Sequence, residues 1–111
     1  SKSVAIGDAT LDAQNPGSAT DMYNTAVGHA AGGAVTTGTN NTLIGGLAGD
    51  AITTGTSNTA VGTAALTSNT TANDNVAVGV SSLETNTTGA SNVAISNNAL
   101  LRNTTGRIML L

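Results

Sequence analysis

The pentapeptide Asn24-Thr25-Ala26-Val27-Gly28 is repeated along the chain at a fixed distance. It returns as Asn41-Thr42-Leu43-Ile44-Gly45, Asn58-Thr59-Ala60-Val61-Gly62, Asn75-Val76-Ala77-Val78-Gly79 and Asn92-Val93-Ala94-Ile95-Ser96, every 17 residues and without insertion. A looser copy, Ser3-Val4-Ala5-Ile6-Gly7, stands 21 residues before the first. A short fixed period marks a stacked-repeat architecture in which each unit leans on its neighbours to bury a face. Seventeen is not a heptad multiple, and Thr, Asn, Gly and β-branched residues form helices poorly. The expectation is an all-β solenoid of about six coils, with strands of about five residues bounded by Gly and Asn turns.

The 111 residues include no Phe, Trp or Cys and a single Tyr, and the apolar 39 % is mostly Ala and Val. Such side chains bury little area at about 25 cal/mol per Å², against roughly 1–2 kcal/mol of backbone entropy per residue. Backbone ladders and neighbouring chains are therefore expected to complete the structure. Charged residues make up 8 % of the chain and the net charge is −3, which argues against nucleic acid as a partner. Without cysteine there are no disulfides or thiolate metal sites. No apolar run approaches the roughly 20 residues of a membrane-spanning helix, and no signal peptide is visible.

Three regions follow. Residues 1–23 form an atypical first coil whose extra residues loop out around Asp12-Ala13-Gln14-Asn15-Pro16-Gly17-Ser18. Residues 24–107 are the regular coils, and 108–111 are an apolar terminal segment. Counting from the repeated Asn, positions 2 and 4 share one strand face and position 3 takes the other. Positions 7 to 9 read as a second short strand, for example Ala64-Ala65-Leu66 and Ser81-Ser82-Leu83. Position 9 is Leu66, Leu83 or Leu100 where position 12 is Asn, and Gly32 or Gly49 where position 12 is Val35 or Ile52. One apolar volume is thus expected to be filled from different positions in the two halves. Coils about 4.8 Å apart set equivalent residues above one another. Asn24, Asn41, Asn58, Asn75 and Asn92 then form a ladder of side-chain amides, and Asn69, Asn86 and Asn103 a second.

At these residues the chain resembles the head repeats of trimeric autotransporter adhesins, through Lys2-Ser3-Val4-Ala5-Ile6-Gly7. The unit Asn58-Thr59-Ala60-Val61-Gly62-Thr63-Ala64-Ala65-Leu66, followed by Asn69-Thr70-Thr71, is similar to repeats of bacteriophage tail fibres. The resemblance spans residues 2 to 107. It implies a left-handed parallel β-roll in an intertwined or side-by-side homotrimer, located extracellularly on a virion fibre or bacterial cell surface. It also implies that Val4, Ile6, Val27, Ile44, Val61, Val78 and Ile95 fill the roll, with Leu66, Leu83 and Leu100, while the small residues let chains approach. Ser96 departs from the motif glycine, and Met109 stands where the next Asn is due, so the array is expected to stop there.

No arrangement of residues points to catalysis, and neither a cofactor nor a metal is expected. His29 is the sole histidine, at a variable position without a Ser or Cys partner. Three copies converging in a trimer are the one way it would hold an ion. Asp8, Asp12 and Asp21 match no calcium-loop spacing. The glycosylation sequons at Asn40, Asn69, Asn86 and Asn103 are mostly the repeat's own polar corner.

The expected function is a structural and adhesive segment of a trimeric extracellular fibre, not an enzyme. Its partners are further copies of itself and host-surface glycans or matrix, without membrane insertion. An alternative is a self-assembling extracellular filament, joined head to tail through Ile108, Met109, Leu110 and Leu111. An uncapped solenoid end exposes strand edges that recruit another chain. A third reading, an ice-binding solenoid, rests on the Thr-Thr corners.

Overall fold

The computed structural model describes residues 2–14 and 21–106. The Pro16-Gly17 turn and the proposed joint at Ile108–Leu111 lie outside the described residues. Six strands run in parallel: β1 (Val4–Ile6), β2 (Thr25–Val27), β3 (Thr42–Ile44), β4 (Thr59–Val61), β5 (Val76–Val78) and β6 (Val93–Ile95). They form one sheet in sequence order, each strand pairing only with its predecessor and successor. The register is that of the repeat, with Thr25 opposite Thr42, Thr42 opposite Thr59, and Val76 opposite Val93. The result is a β-solenoid of about five turns, measuring 36 × 22 × 18 Å.

The strands are three residues long rather than about five, because both flanking positions have other geometry. On one side, the repeated Asn directs its side chain into the fold. On the other, position 5 takes φ near +130° at Gly28, Gly45, Gly62 and Gly79, a region essentially confined to glycine. A Cβ on Gly45 would stand 2.7 Å from the carbonyl carbon and oxygen of Gly62 in the following coil. Glycine ends each strand because the next backbone occupies the place of its side chain.

The expected second strand at positions 7 to 9 is instead a pair of overlapping turns. Ala65 N–H donates to the Gly62 carbonyl at 3.2 Å, and Thr67 N–H donates to the Ala64 carbonyl at 3.3 Å. Ala64 and Leu66 have φ of 61° and 54°, a positive value at the third residue of each turn, as in type II turns. Ala, Ser and Leu are unusual there. Hydrogen bonds between coils hold them, including Ala64 N–H to the Gly46 carbonyl and Leu66 N–H to the Ser82 carbonyl, both 3.0 Å. The ladder continues where the strand does not.

The interior corrects the expected core. Position 3 points inward, so Ala26, Leu43, Ala60, Ala77 and Ala94 are buried. Positions 2 and 4 point outward. Val4, Ile6, Ile44 and Ile95 are exposed, Ile6 to 60 % and Ile95 to 57 %, and Val27, Val61 and Val78 are half-buried by their strand neighbours. Alternation along a strand fixes that these residues share a face but not which face is inside. The cavity opposite the strand decides it, because that cavity is already filled. Leu66 and Leu83 are fully buried there, and Leu100 packs partly buried against the same cluster. Only a small position 3 fits across from them.

In the earlier coils, Val35 and Ile52 supply this volume from position 12. A Cβ on Gly49 would meet Ile52 Cδ1 and Leu43 Cδ2 at 2.8 Å, so glycine at position 9 and a large residue at position 12 require one another. The two solutions should be coupled. Leu66→Gly is expected to cost about 2–5 kcal/mol by leaving a cavity. Adding Asn69→Ile, which reproduces the Gly49 and Ile52 pair, should recover at least about 1 kcal/mol of that. Urea denaturation of the double-mutant cycle measures the coupling, and simple additivity would contradict the shared volume.

Candidate functional site

The most regular chemistry in the molecule is amide chemistry. Asn24, Asn41, Asn58, Asn75 and Asn92 are completely buried. Each Oδ1 from Asn24 to Asn75 accepts the backbone N–H of the next Asn in the column. These distances are 2.9 Å at Asn41, 3.0 Å at Asn58, 3.1 Å at Asn75 and 3.0 Å at Asn92. Each Nδ2 donates within its own coil to the carbonyl 14 residues on, namely Gly38, Gly55, Ala72, Gly89 and Gly106, at 2.8–2.9 Å. The expected amide-to-amide ladder therefore runs through the main chain. One group ties the coil across its section, and the other ties it to the following coil. Asparagine suits both tasks because its short planar side chain carries an acceptor and a donor together.

The second column is an amide-to-amide ladder. Asn86 Nδ2 donates to Asn69 Oδ1, and Asn103 Nδ2 donates to Asn86 Oδ1, both at 3.0 Å. Asn69 Nδ2 also reaches the Ala72 carbonyl at 3.2 Å, the acceptor it shares with Asn58. In the first coil, Ser3 stands in place of the first-column Asn and Gln14 in place of the second-column Asn. Ser3 Oγ accepts from Asn24 N–H at 3.3 Å and donates to Gln14 Oε1 at 3.2 Å, and Gln14 Oε1 also accepts from Asn24 Nδ2 at 3.0 Å. The sequence signal for this was Ser3 at position 1 with Gln14 at position 12. Among the described residues no buried side-chain nitrogen or oxygen lacks a partner.

The Thr-Thr corner divides its two residues. Thr36 and Thr53 donate their hydroxyls to the Thr53 and Thr70 carbonyls of the next coil, at 3.3 and 3.4 Å. The second threonines, Thr37, Thr54, Thr71, Thr88 and Thr105, face solvent. Acidic residues are dispersed. Asp21 pairs with Lys2 Nζ at 2.8 Å, and Lys2 lies 5.7 Å from the Tyr23 ring centre. Exposed Asp8 approaches His29 Nδ1 at 3.5 Å, and Asp12 is exposed. Asp50 accepts from Thr67 Oγ1 of the next coil at 2.5 Å. Among the described residues no three His, Cys, Asp or Glu side chains come together as a metal site would require. Of the sequon asparagines, Asn69 and Asn86 are buried in the ladder, Asn103 is half-buried and Asn40 is exposed.

The remaining feature is the outer face of the sheet. Position 4 presents Ile6, Val27, Ile44, Val61, Val78 and Ile95 in one column, and position 2 presents Val4, Thr25, Thr42, Thr59, Val76 and Val93 in the next. Every residue on this face is β-branched and none is charged. Stiff side chains on a rigid ladder leave it regular along the whole stack.

Comparison with protein-family models, with curated proteins and with solved structures finds no match to this chain.

Removing a ladder amide should be far costlier than removing a corner hydroxyl. Asn58→Ala leaves the Asn75 N–H buried and unpaired, and is expected to destabilise by about 2–4 kcal/mol. Exposed Thr71→Ala should stay within about 0.5 kcal/mol. Asn58→Asp would set a buried carboxylate against the Ala72 carbonyl, raising its pKa in the folded state above the unfolded value. That variant should therefore be most stable in acid and lose stability as pH rises through the folded value. Thermal melts across pH check all three, and a pH-independent aspartate variant would contradict the buried position.

Proposed function

We propose that this chain is a structural segment of a homotrimeric extracellular fibre, of the kind carried by phage tails or bacterial surfaces, and that its role is mechanical rather than catalytic. The observation that supports this reading is the outward β-branched face. Nine of its twelve residues are Val or Ile, arranged over six strands with no charge among them. Side chains of this kind gain about 25 cal/mol per Å² when taken out of water. A continuous apolar face on a soluble fold marks a contact surface. A second copy offers a matching face, because its coils would repeat at the same pitch and bring its side-chain rows into register with these.

Three copies packed side by side around an axis, each a left-handed parallel β-roll, would remove this face from water. Side-by-side packing is favoured over intertwining because each chain completes its own backbone ladder from coil to coil. The inner alanines then serve the narrow interior of each roll rather than the contact between chains. The mechanical reading draws support from the asparagines and inner threonines, whose polar groups are spent on joining coils. The solvent-facing Thr column and exposed position 6, which holds Asp8, His29, Thr63, Val80 and Asn97, are the surfaces such a fibre would offer to glycans or matrix.

Sedimentation equilibrium tests the assembly. The expected mass is three times the chain mass of 10.7 kDa. Val61→Glu combined with Val78→Glu should give a monomer that keeps its β-type circular dichroism, since both side chains point away from the interior. A monomeric parent chain, or a trimer unaffected by two buried-face glutamates, would overturn the assignment of this face.

A further inference from the structure

The outer face is not uniform along its length. Position 4 is Val or Ile in all six coils, whereas position 2 reads Val4, Thr25, Thr42, Thr59, Val76 and Val93. Strand pairing sets these six residues in one column. Thr25, Thr42 and Thr59 are therefore the only polar side chains on the face, and they occupy three consecutive coils. Each is half-buried, and among the described residues none of their hydroxyls has a hydrogen-bond partner. The corner threonines differ, since Thr36 and Thr53 donate to the next coil at 3.3 and 3.4 Å.

The chemistry of a hydroxyl restricts what covers such a face. A hydroxyl taken out of water without a partner costs free energy, so buried hydroxyls are paired. An aliphatic surface offers them no partner, and neither does position 4 of a second copy. Position 2 of a second copy, at the same height, does. A hydroxyl has one donor and two acceptor lone pairs, so three at one level close a ring in which each donates to the next. Equivalent residues of three chains meet at one place only, the axis between them.

Repetition adds a second constraint. Coils of one pitch let neighbouring chains slide by one coil and regain most of their aliphatic contacts, so the repeat by itself stabilises the slipped arrangement too. The change from Thr to Val within the column separates the two. A one-coil slip sets Thr25 of one copy against Val4 of the next, and Val76 of the first against Thr59 of the next. Two hydroxyls lose their partners at every such contact.

We infer that Thr25, Thr42 and Thr59 set the height at which the chains of the trimer meet. Position 2 lines the axis, and three levels of paired hydroxyls hold the chains level. This inference rests on the trimer proposed above. Height also decides closure: level chains close a ring of three, whereas a constant slip around the axis makes an open helical array. The threonines thus select a finite segment over a polymer.

The chain has no cysteine, so single cysteines report which coils meet. Val76→Cys and Val93→Cys leave all three threonines in place. The two variants, one of them carrying a heavy-isotope label, are refolded together and oxidised, and disulfide-linked pairs are sorted by intact mass. Level chains give like-with-like pairs, and a one-coil slip gives mixed pairs. Both variants are also made with Thr25→Val, Thr42→Val and Thr59→Val, which keeps the face β-branched. The mixed fraction should be roughly tenfold or more higher in that all-valine background, with species heavier than a trimer in sedimentation. A trimer with equal mixed fractions in both backgrounds, or with no disulfide at either position, overturns the role of the threonines and leaves the trimer standing. A parent chain that sediments as a monomer overturns the trimer itself, and this inference with it.

Discussion

From the second coil on, each coil depends on the hydrogen bonds of one buried asparagine. With so few large apolar side chains, the fold cannot rely on a thick core to hold its coils at a common pitch. The position-1 amide does so by joining the coil to itself across the section and to its successor along the axis. The alternatives fail on chemistry. Aspartate has no donor for the Gly55-type carbonyl, and in the first coil Ser3 takes the acceptor task toward Asn24 N–H while Gln14 Oε1 accepts from Asn24 Nδ2. Because the bond along the axis passes through a backbone N–H, every asparagine fixes the height of the next coil as well as its direction. The three-residue strands are then positioned by their ends, not by their length.

Around this frame, side-chain size at each position is dictated by how close the neighbouring wall comes. At position 5 the neighbour is backbone from the next coil, so glycine recurs until Ser96. At position 3 it is the leucine or isoleucine from the opposite wall, so alanine recurs. Leu43 is the exception, and it sits between Gly32 and Gly49, whose absent side chains leave it room. The exchange between Gly49 with Ile52 and Leu66 with Asn69 follows the same rule. Interiors are filled to close packing, and a narrow one is filled from whichever side has space. The later coils gain a polar ladder at position 12 because leucine at position 9 has already supplied the volume.

The turn at positions 6 to 10 shows where local preference yields to stacking. Ala64, Leu66, Ser81 and Leu83 all adopt positive φ, although L residues with a Cβ favour the opposite sign. Their N–H groups are taken up by carbonyls of adjacent coils, so the strain at each residue is offset by a hydrogen bond repeated all along the array. A strand assignment from the small and apolar residues alone misses this, since alternation of side chains is common to a strand and to successive type II turns.

The period, and with it the stacked parallel architecture, was legible from the sequence alone. Equal spacing without insertion leaves the chain no other way to superimpose its repeated Asn and Gly. The two asparagine columns and the shared apolar volume were legible for the same reason, because stacking turns sequence spacing into contact. Tertiary structure alone decided the sense of the strand. Val27 and Val61 could not be told from inward residues by alternation, since period-two patterning is unchanged when inside and outside are exchanged. The leucines across the cavity broke that symmetry by leaving room for alanine only, and so turned the valines and isoleucines outward.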